Sequence, residues 1–440
     1  MPAETTTRLT VDDLRDVWPV LTPAERVEGF SLLDREEADD FFHSVSTLAQ
    51  AQILEGLHGA ERRLWLRSLP PDDAADLLQE VEPELRAELL RALDDTTRRE
   101  VSALLAYAED AAGGLMSPRF ARVRPDLTAD EAIRYLRRQA RDHLETIYYV
   151  YVLDSAQRLL GVVSFRQLFA APPDRPVREL MEDRVISVPD DMDQEAVARL
   201  FARHDLLALP VLDAEGRMKG IVTFDDIVDV VQEEATEDAH KLGGMEALDA
   251  PYLQTRFLPM IKKRAVWLAV LFLGEMLTAS AMGHFEAEIA RAVVLALFVP
   301  LIISSGGNSG SQASTLVIRA MALGEVRLRD WWRIVRRELA AGLTLGLILA
   351  TIGLVRIGVW QALFQTYGEH WILVAATVAG SLVGVVAWGT LSGAMLPFVL
   401  RRLGADPASA SAPFVATLVD VSGLVIYFSL ARLLLTGTLL

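Results

Sequence analysis

Five long apolar stretches crowd into the C-terminal part of this 440-residue chain, at roughly 265–285, 292–321, 339–360, 371–400 and 408–435. Each is long enough to cross a hydrocarbon layer about 30 Å thick as a helix. Inside lipid every backbone polar group needs a partner within the protein, so stretches of this kind can fold only as helices. The second, fourth and fifth exceed one crossing, which predicts tilt or irregular backbone there. The rest of the chain has the opposite character. Residues 1–250 hold 51 acidic and 28 basic side chains, a net of −23, whereas residues 251–440 hold 9 acidic and 15 basic. So acidic a half repels nucleic acid and anionic lipid but suits polyvalent cations. No cysteine is present, which excludes disulfides and thiolate metal sites.

Basic residues alternate in side along the spans. Lys262, Lys263 and Arg264 precede the first. Arg319, Arg327, Arg329, Arg333, Arg336 and Arg337 lie between the second and third, and Arg401 and Arg402 between the fourth and fifth. The remaining two loops hold only Arg291 and no lysine. The positive-inside rule therefore predicts a multi-pass protein of the cell's inner (plasma) membrane, with the N-terminal half in the cytoplasm and the C-terminus outside. The polar N-terminus, Met1 to Thr10, carries no signal-peptide pattern and agrees with that orientation.

Two features inside the spans carry chemistry. Asp420 is the only carboxylate within 408–435, with Thr417, Ser422, Gly423 and Tyr427 nearby. A charge at membrane depth is costly and is usually retained for ion or proton chemistry. The alternative is a salt bridge, for which Arg356 and Arg432 are available, although both lie near span ends where they would snorkel. The second feature is 300–312, with a proline, three glycines, four serines, Asn308 and Gln312. This composition predicts a broken helix lining a watery cavity; a small-residue helix-packing face is the other reading. Glu275, mid-span in the first stretch, would line a pore, pair with Arg356 or sit protonated.

Residues 11–107 show short helical periods and no strand-like alternation. The stretches opening Leu21-Thr22-Pro23, Leu69-Pro70-Pro71 and Val81-Glu82-Pro83 read as copies of one unit, with proline and acids in a first turn. They predict a small superhelical solenoid. Two related modules follow, 114–180 and 181–240. Each opens near a methionine (Met116, Met181), and each closes on a hairpin whose second strand begins at or after a glycine (Gly161, Gly220). Beyond them runs a dense series of acids: Asp225, Asp226, Asp229, Glu233, Glu234, Glu237 and Asp238. On a helix Asp226, Asp229 and Glu233 share one face, as do Glu234, Glu237 and Asp238. Such acids repel unless cations neutralise them, and oxygen ligands without cysteine or paired histidines suit magnesium or calcium. An ordinary solvated helix would also carry them. His240 and His284 stand singly and read as ordinary polar positions.

The two modules resemble a tandem CBS pair, whose members use a hydroxyl and a carboxylate three residues later for a ribose. Thr223 and Asp226 match that pattern, while the first module has Ser164 followed by Gln167. The whole order resembles the MgtE family of magnesium channels. The stretches 306–312, 235–243 and 413–420 carry that resemblance most specifically.

The resemblance implies a multidomain integral membrane protein. Its parts would be an all-α superhelical N-terminal domain (1–113), α/β tandem CBS domains (114–180 and 181–240), a connecting plug helix (241–264) and a five-helix transmembrane pore domain (265–440). It implies a homodimer in a lipid membrane, with a pore at the subunit interface where Asp420 holds hydrated Mg2+ and Asn308 and Ala416 line the path. It implies closure by cytoplasmic Mg2+ on Asp193, Glu195, Asp205, Asp226, Asp229, Glu234, Glu237 and Asp238, with Asp72, Asp73 and Asp76 as further candidates. ATP is a possible modulator, weakened by Gln167, and Ala412 replaces a polar asparagine of some relatives. Rival classes are a proton-coupled divalent-cation exchanger using Asp420 or Glu275, and a non-conducting CBS sensor. An enzyme is disfavoured, because the chain shows no nucleophile triad, phosphate loop or metal-binding histidine pair.

Overall fold

The computed structural model describes residues 9–140 and 144–439, so most of the polar N-terminal stretch lies outside the described residues. The chain divides into two compact units, Met1–Glu234 and Ala235–Leu440.

The first unit begins with α1 (Val11–Val17), followed by seven ten-residue helices at a twelve-residue spacing. These are α2 (Pro23–Leu32), α3 (Arg35–Ser44), α4 (Thr47–Gly56), α5 (Gly59–Ser68), α6 (Pro71–Glu80), α7 (Pro83–Ala92) and α8 (Asp95–Leu104). Proline opens α2, α6 and α7, where its missing N–H costs nothing. Thr22, Asp34 and Asp94 cap their helices through side-chain oxygens. Each helix from α2 to α7 ends on an extended residue, and Leu33, Leu57, Leu69, Val81 and Leu93 bury their side chains there. One buried anchor per turn stacks alternate helices, α2 on α4, α4 on α6 and α6 on α8, as the solenoid reading anticipates.

A single turn, α9 (Ala112–Leu115), leads into the two modules. The first contains β1 (Arg122–Val123), α10 (Ala129–Gln139), β2 (Tyr149–Leu153), β3 (Leu159–Ser164) and α11 (Phe165–Ala170). The second contains β4 (Val188–Pro189), α12 (Gln194–His204), β5 (Ala208–Leu212) and β6 (Met218–Thr223), then continues into α13 (Phe224–Leu242). Each sheet has one parallel and one antiparallel pairing in the same register, Tyr149 opposite Ser164 and Ala208 opposite Thr223. The methionine segments cross between modules: Ser117 exchanges backbone hydrogen bonds of 2.7 and 2.9 Å with Ile221, and Glu182 does so with Val162 at 2.8 and 3.0 Å. That crossing explains both glycines. A Cβ at Gly220 would lie 2.6 Å from the Ser117 carbonyl oxygen, and one at Gly161 would lie 2.7 Å from that of Glu182. Phe120, Tyr151, Leu153, Met218 and Ile221 form an apolar core shared by the pair.

Among the described residues the second unit contains five helices long and apolar enough to cross a membrane. They centre on α14 (Phe257–His284), α17 (Val299–Ala322), α18 (Trp331–Phe364), α19 (Trp371–Arg402) and α20 (Ala412–Leu435), with the short α15 (Glu286–Arg291) and α16 (Val293–Ala296) ahead of α17. Two expectations are corrected here. Residues 241–264 are not one helix: α13 stops at Leu242, Gly244 takes a left-handed φ of +73°, and helix resumes at Phe257, running straight into the first span. Nor does 300–312 break. Pro300 sits in the first turn of α17, and the irregular backbone lies earlier, at Ala292 (φ −122°, ψ 67°).

The glycines of 300–312 serve packing. A Cβ on Gly389 or Gly393 of α19 would collide with the carbonyl oxygen of Gly306 or Gly310 on α17. The two helices cross backbone to backbone, the contact that small residues four apart permit. Three serines of α17 clip its neighbours. Ser309 and Thr390 share a hydrogen bond of 2.5 Å, Ser314 donates to the Ala410 carbonyl at 2.8 Å, and Ser311 donates to that of Ala412 at 3.1 Å.

Candidate functional site

In the membrane unit the residues singled out by sequence converge on α17, α20 and α14. One side of α20 is anchored by Val415, Val419, Leu424, Tyr427 and Phe428, all fully buried, and the Tyr427 hydroxyl donates to the Leu295 carbonyl at 2.9 Å. With that side fixed, Asp420 is left half-buried against α17. The neighbour is Gly307. An ideal Cβ there would stand 3.8 Å from the Asp420 carboxylate and 3.5 Å from Ala416, so the bare glycine leaves both next to α17 backbone. Asn308 follows on the exposed side of α17, its amide donating weakly to Ser304 at 3.4 Å. Ser304, Asn308 and Gln312 thus form an exposed polar row, four residues apart, opposite Gly306 and Gly310, with Gly307 to one side.

Glu275 of α14 hydrogen-bonds with Asp420, which the sequence left open. Two carboxyls in contact coexist only by sharing a proton or a cation. The salt-bridge alternative is not realised: among the described residues Asp420 has no arginine partner. The Arg356 guanidinium instead lies 5.3 Å over the Trp360 ring, and Arg432 lines a cavity with His284.

In the first unit a second group of carboxylates gathers where α6 meets the start of α13. Asp72, Asp73 and Asp76 come from α6, and Asp225, Asp226 and Asp229 from α13, with Glu145 beside them. Burial pushes Asp72 up to about 8, helped by the charges of Glu145 and Asp73. Asp76 rises to about 8 for the same first reason, with Asp73, Asp226, Glu109 and Glu233 adding repulsion. Asp226 also reaches about 8 through burial and the charges of Asp72 and Asp225, although the Thr223 hydroxyl (2.7 Å) and amide (3.1 Å) donate to it. Asp73, Asp229 and Glu145 shift upward as well, burial first in each case. Among the described residues, one Asp72 carboxylate oxygen is buried without a hydrogen-bond partner. The donors are hard oxygens, which suits Mg2+ chemically. Among the described residues no three carboxylate or imidazole groups converge closely enough to hold a metal ion by direct ligation. A cation bound there would keep water in its shell, as Mg2+ does readily.

Other predicted residues lie elsewhere. Asp193 caps α12, accepting from the Ala196 amide at 3.1 Å, and lines a cavity with Asp110, Asp190 and Asp191. Glu195 is paired with Arg199 at 2.6 Å, and Asp205 ends α12 in a left-handed conformation with φ of 50°. Glu234 accepts from Gln194 at 2.8 Å, tying α12 to α13. In the second unit Glu237 contacts Lys241, whose ammonium also reaches Asp406 at 2.5 Å, while Asp238 lies in the same final stretch of α13. Burial would pull the Lys241 ammonium down, but its bonds to Asp406 and Glu237 outweigh that and hold it up. In the first module the Ser164 hydroxyl donates to Gln167 at 2.7 Å. The sequence reading missed Glu145 and Asp406, because each reaches its partner across more than seventy residues of chain and carries no local signal.

Comparison with known proteins supports one family throughout. The family model described as a divalent cation transporter matches residues 299–430, and the MgtE intracellular N domain matches 9–110. CBS domains match 112–174 and 177–233. The chain is 44% identical to a magnesium transporter of Thermus thermophilus, across 96% of this chain and 92% of that protein. It is 31% identical to one of Bacillus subtilis, across 95% and 90%. A solved structure, the cytosolic domain of the Mg2+ channel MgtE in complex with ATP, aligns to 50% of this chain and 90% of its own length at 44% identity, with a TM-score of 0.46.

Proposed function

Because the chain belongs to the MgtE family of magnesium transporters, we propose that it is a homodimeric Mg2+ channel closed by cytoplasmic Mg2+. The observation that carries the conducting half is Asp420 set against bare α17 backbone at Gly307, beside the exposed row Ser304, Asn308 and Gln312. A polar row facing lipid would leave amides and hydroxyls unsatisfied. Facing a second copy across a watered path, the same row hydrates a passing ion. Two Asp420 carboxylates then offer a charge of about −2 to a dication that gives up its inner water shell reluctantly. Ala416, one turn before Asp420, lines the same path.

Gating rests on the acids of the soluble half. Without a cation, Asp72, Asp73, Asp76, Asp225, Asp226 and Asp229 repel one another. With Mg2+ they draw together, Asp193, Glu195, Asp205, Glu234, Glu237 and Asp238 adding to the attraction. The change passes along α13 to its C-terminal end, where Lys241 holds Asp406. A ligand that favours one of two arrangements shifts their balance in this way. The arginine-rich loops support an orientation with the acidic half in the cytoplasm and the C-terminus outside.

The test is Mg2+ flux into vesicles holding the purified protein. Asp420→Ala abolishes flux while the dimer still assembles; normal uptake by that variant overturns the pore assignment. The Glu275–Asp420 contact favours one rival, proton-coupled exchange. Voltage-clamp recording separates the two, since channel currents persist when no proton gradient is imposed.

A further inference from the structure

A cavity of about 540 Å3 opens where α18 begins and α19 ends, lined by Leu328, Arg329, Trp331, Met395, Phe398 and Arg402, with Val399. Its floor is fixed: Phe398 is buried and packs in one core with Val317, Met321 and Ala394. Its rim carries two guanidiniums. The carboxylate nearest in sequence, Asp330, is already engaged by the Arg327 amide at 3.1 Å and by Arg333 at 3.5 Å. Among the described residues Arg329 and Arg402 have no ion-pair partner. Trp331 and Trp332 are each half exposed at the same level, the placement of aromatic anchors at a membrane–water interface.

We propose that this cavity binds one anionic phospholipid, its phosphate between Arg329 and Arg402 and its acyl chains along Leu328, Met395, Phe398 and Val399. A basic pocket between transmembrane helices on the cytoplasmic side fits this ligand, because it offers charge at headgroup depth and an apolar wall just below. Arginine suits the task, since its planar fork meets phosphate oxygens in pairs. A soluble phosphate would satisfy the arginines and leave the apolar wall wet; a lipid satisfies both. The assignment rests on α18 and α19 crossing the membrane and is independent of Asp420 and of the acidic cluster.

The test uses the full-length protein, purified in detergent and titrated with phosphatidylglycerol or phosphatidylcholine while bound lipid is counted by native mass spectrometry. Phosphatidylglycerol binds with one tight equivalent per chain. Replacing both cavity arginines (Arg329→Gln with Arg402→Gln) weakens that equivalent roughly tenfold or more. The control pair Arg336→Gln with Arg337→Gln removes as much charge outside the cavity and changes affinity less than about twofold. Millimolar inorganic phosphate fails to displace the lipid. The proposal is overturned if both pairs weaken binding equally, if phosphatidylcholine binds as tightly, or if free phosphate competes. It is overturned too if the cavity pair alters subunit assembly rather than lipid binding, since a second copy would then occupy the face. An Arg329→Lys with Arg402→Lys variant guards against misfolding: it keeps the charge, and it retains preference for the anionic lipid at reduced affinity.

Discussion

Replacing Asp226 by asparagine removes one titrating carboxyl from the acidic cluster while leaving its shape nearly intact, so it isolates what that carboxyl costs. Asp72, Asp76 and Asp226 are each pushed up to about 8, burial first and neighbouring carboxylates second. In the unfolded chain the same groups titrate near 3.8. The folded state therefore holds protons that the unfolded state has released. Stability linked to these groups is complete at low pH and is lost as pH rises from about 4 towards 8. At pH 7, keeping one such carboxyl neutral costs ~4 kcal/mol if it titrates alone, at 1.36 kcal/mol per pH unit. The three are coupled, so their costs do not sum.

Asp226→Asn removes one share and eases Asp76, for an expected gain of about 2–3 kcal/mol in metal-free buffer at pH 7.5. For a unit of this size that is a rise in melting temperature of roughly 5–10 °C. The assay is a tryptophan fluorescence melt of the full-length protein, the first unit reporting through Trp18 and Trp65. With saturating Mg2+ the wild type catches up, because the cation does what the missing proton would do, and the advantage falls below about 2 °C. The reasoning is refuted if the variant melts no higher than wild type in metal-free buffer, or if wild-type stability is flat between pH 5.5 and 8.

Glu275→Gln lowers Mg2+ flux in vesicles several-fold but does not abolish it, because Asp420 alone still faces the ion; loss as complete as that of Asp420→Ala would make the two an obligatory pair. Neutralising Asp226, Asp229, Glu234 and Asp238 together keeps flux high at millimolar internal Mg2+, and unchanged inhibition would remove these acids from the sensor. Lys241→Met frees α13 from Asp406 and raises the internal Mg2+ needed for half-closure several-fold, read from the same flux assay. Gly393→Ala drives a methyl into the Gly310 carbonyl and costs about 1–3 kcal/mol, seen as a lower melting temperature in detergent, whereas Gly283→Ala, which meets nothing within 4 Å, is neutral.

Period and polarity alone determined the large divisions of this protein. A repeat of short helices, two hairpin modules and five apolar spans each write a local signal, because solenoid turns, strand alternation and lipid burial act over ten to thirty residues. Asp420 was legible for the same reason, as a single carboxylate in an apolar stretch. Composition failed at 300–312, where glycine and serine suggested a break. In water such residues loosen a helix, but against α19 the absent side chains admit backbone contact and the hydroxyls become clips, so α17 is continuous. Only tertiary structure could bring Glu275 onto Asp420, set Glu145 among the aspartates of α6 and α13, or lock Lys241 to Asp406 across 165 residues of chain. Those meetings depend on which faces the helices turn to one another. The packing of the whole bundle decides that, and no local pattern encodes it.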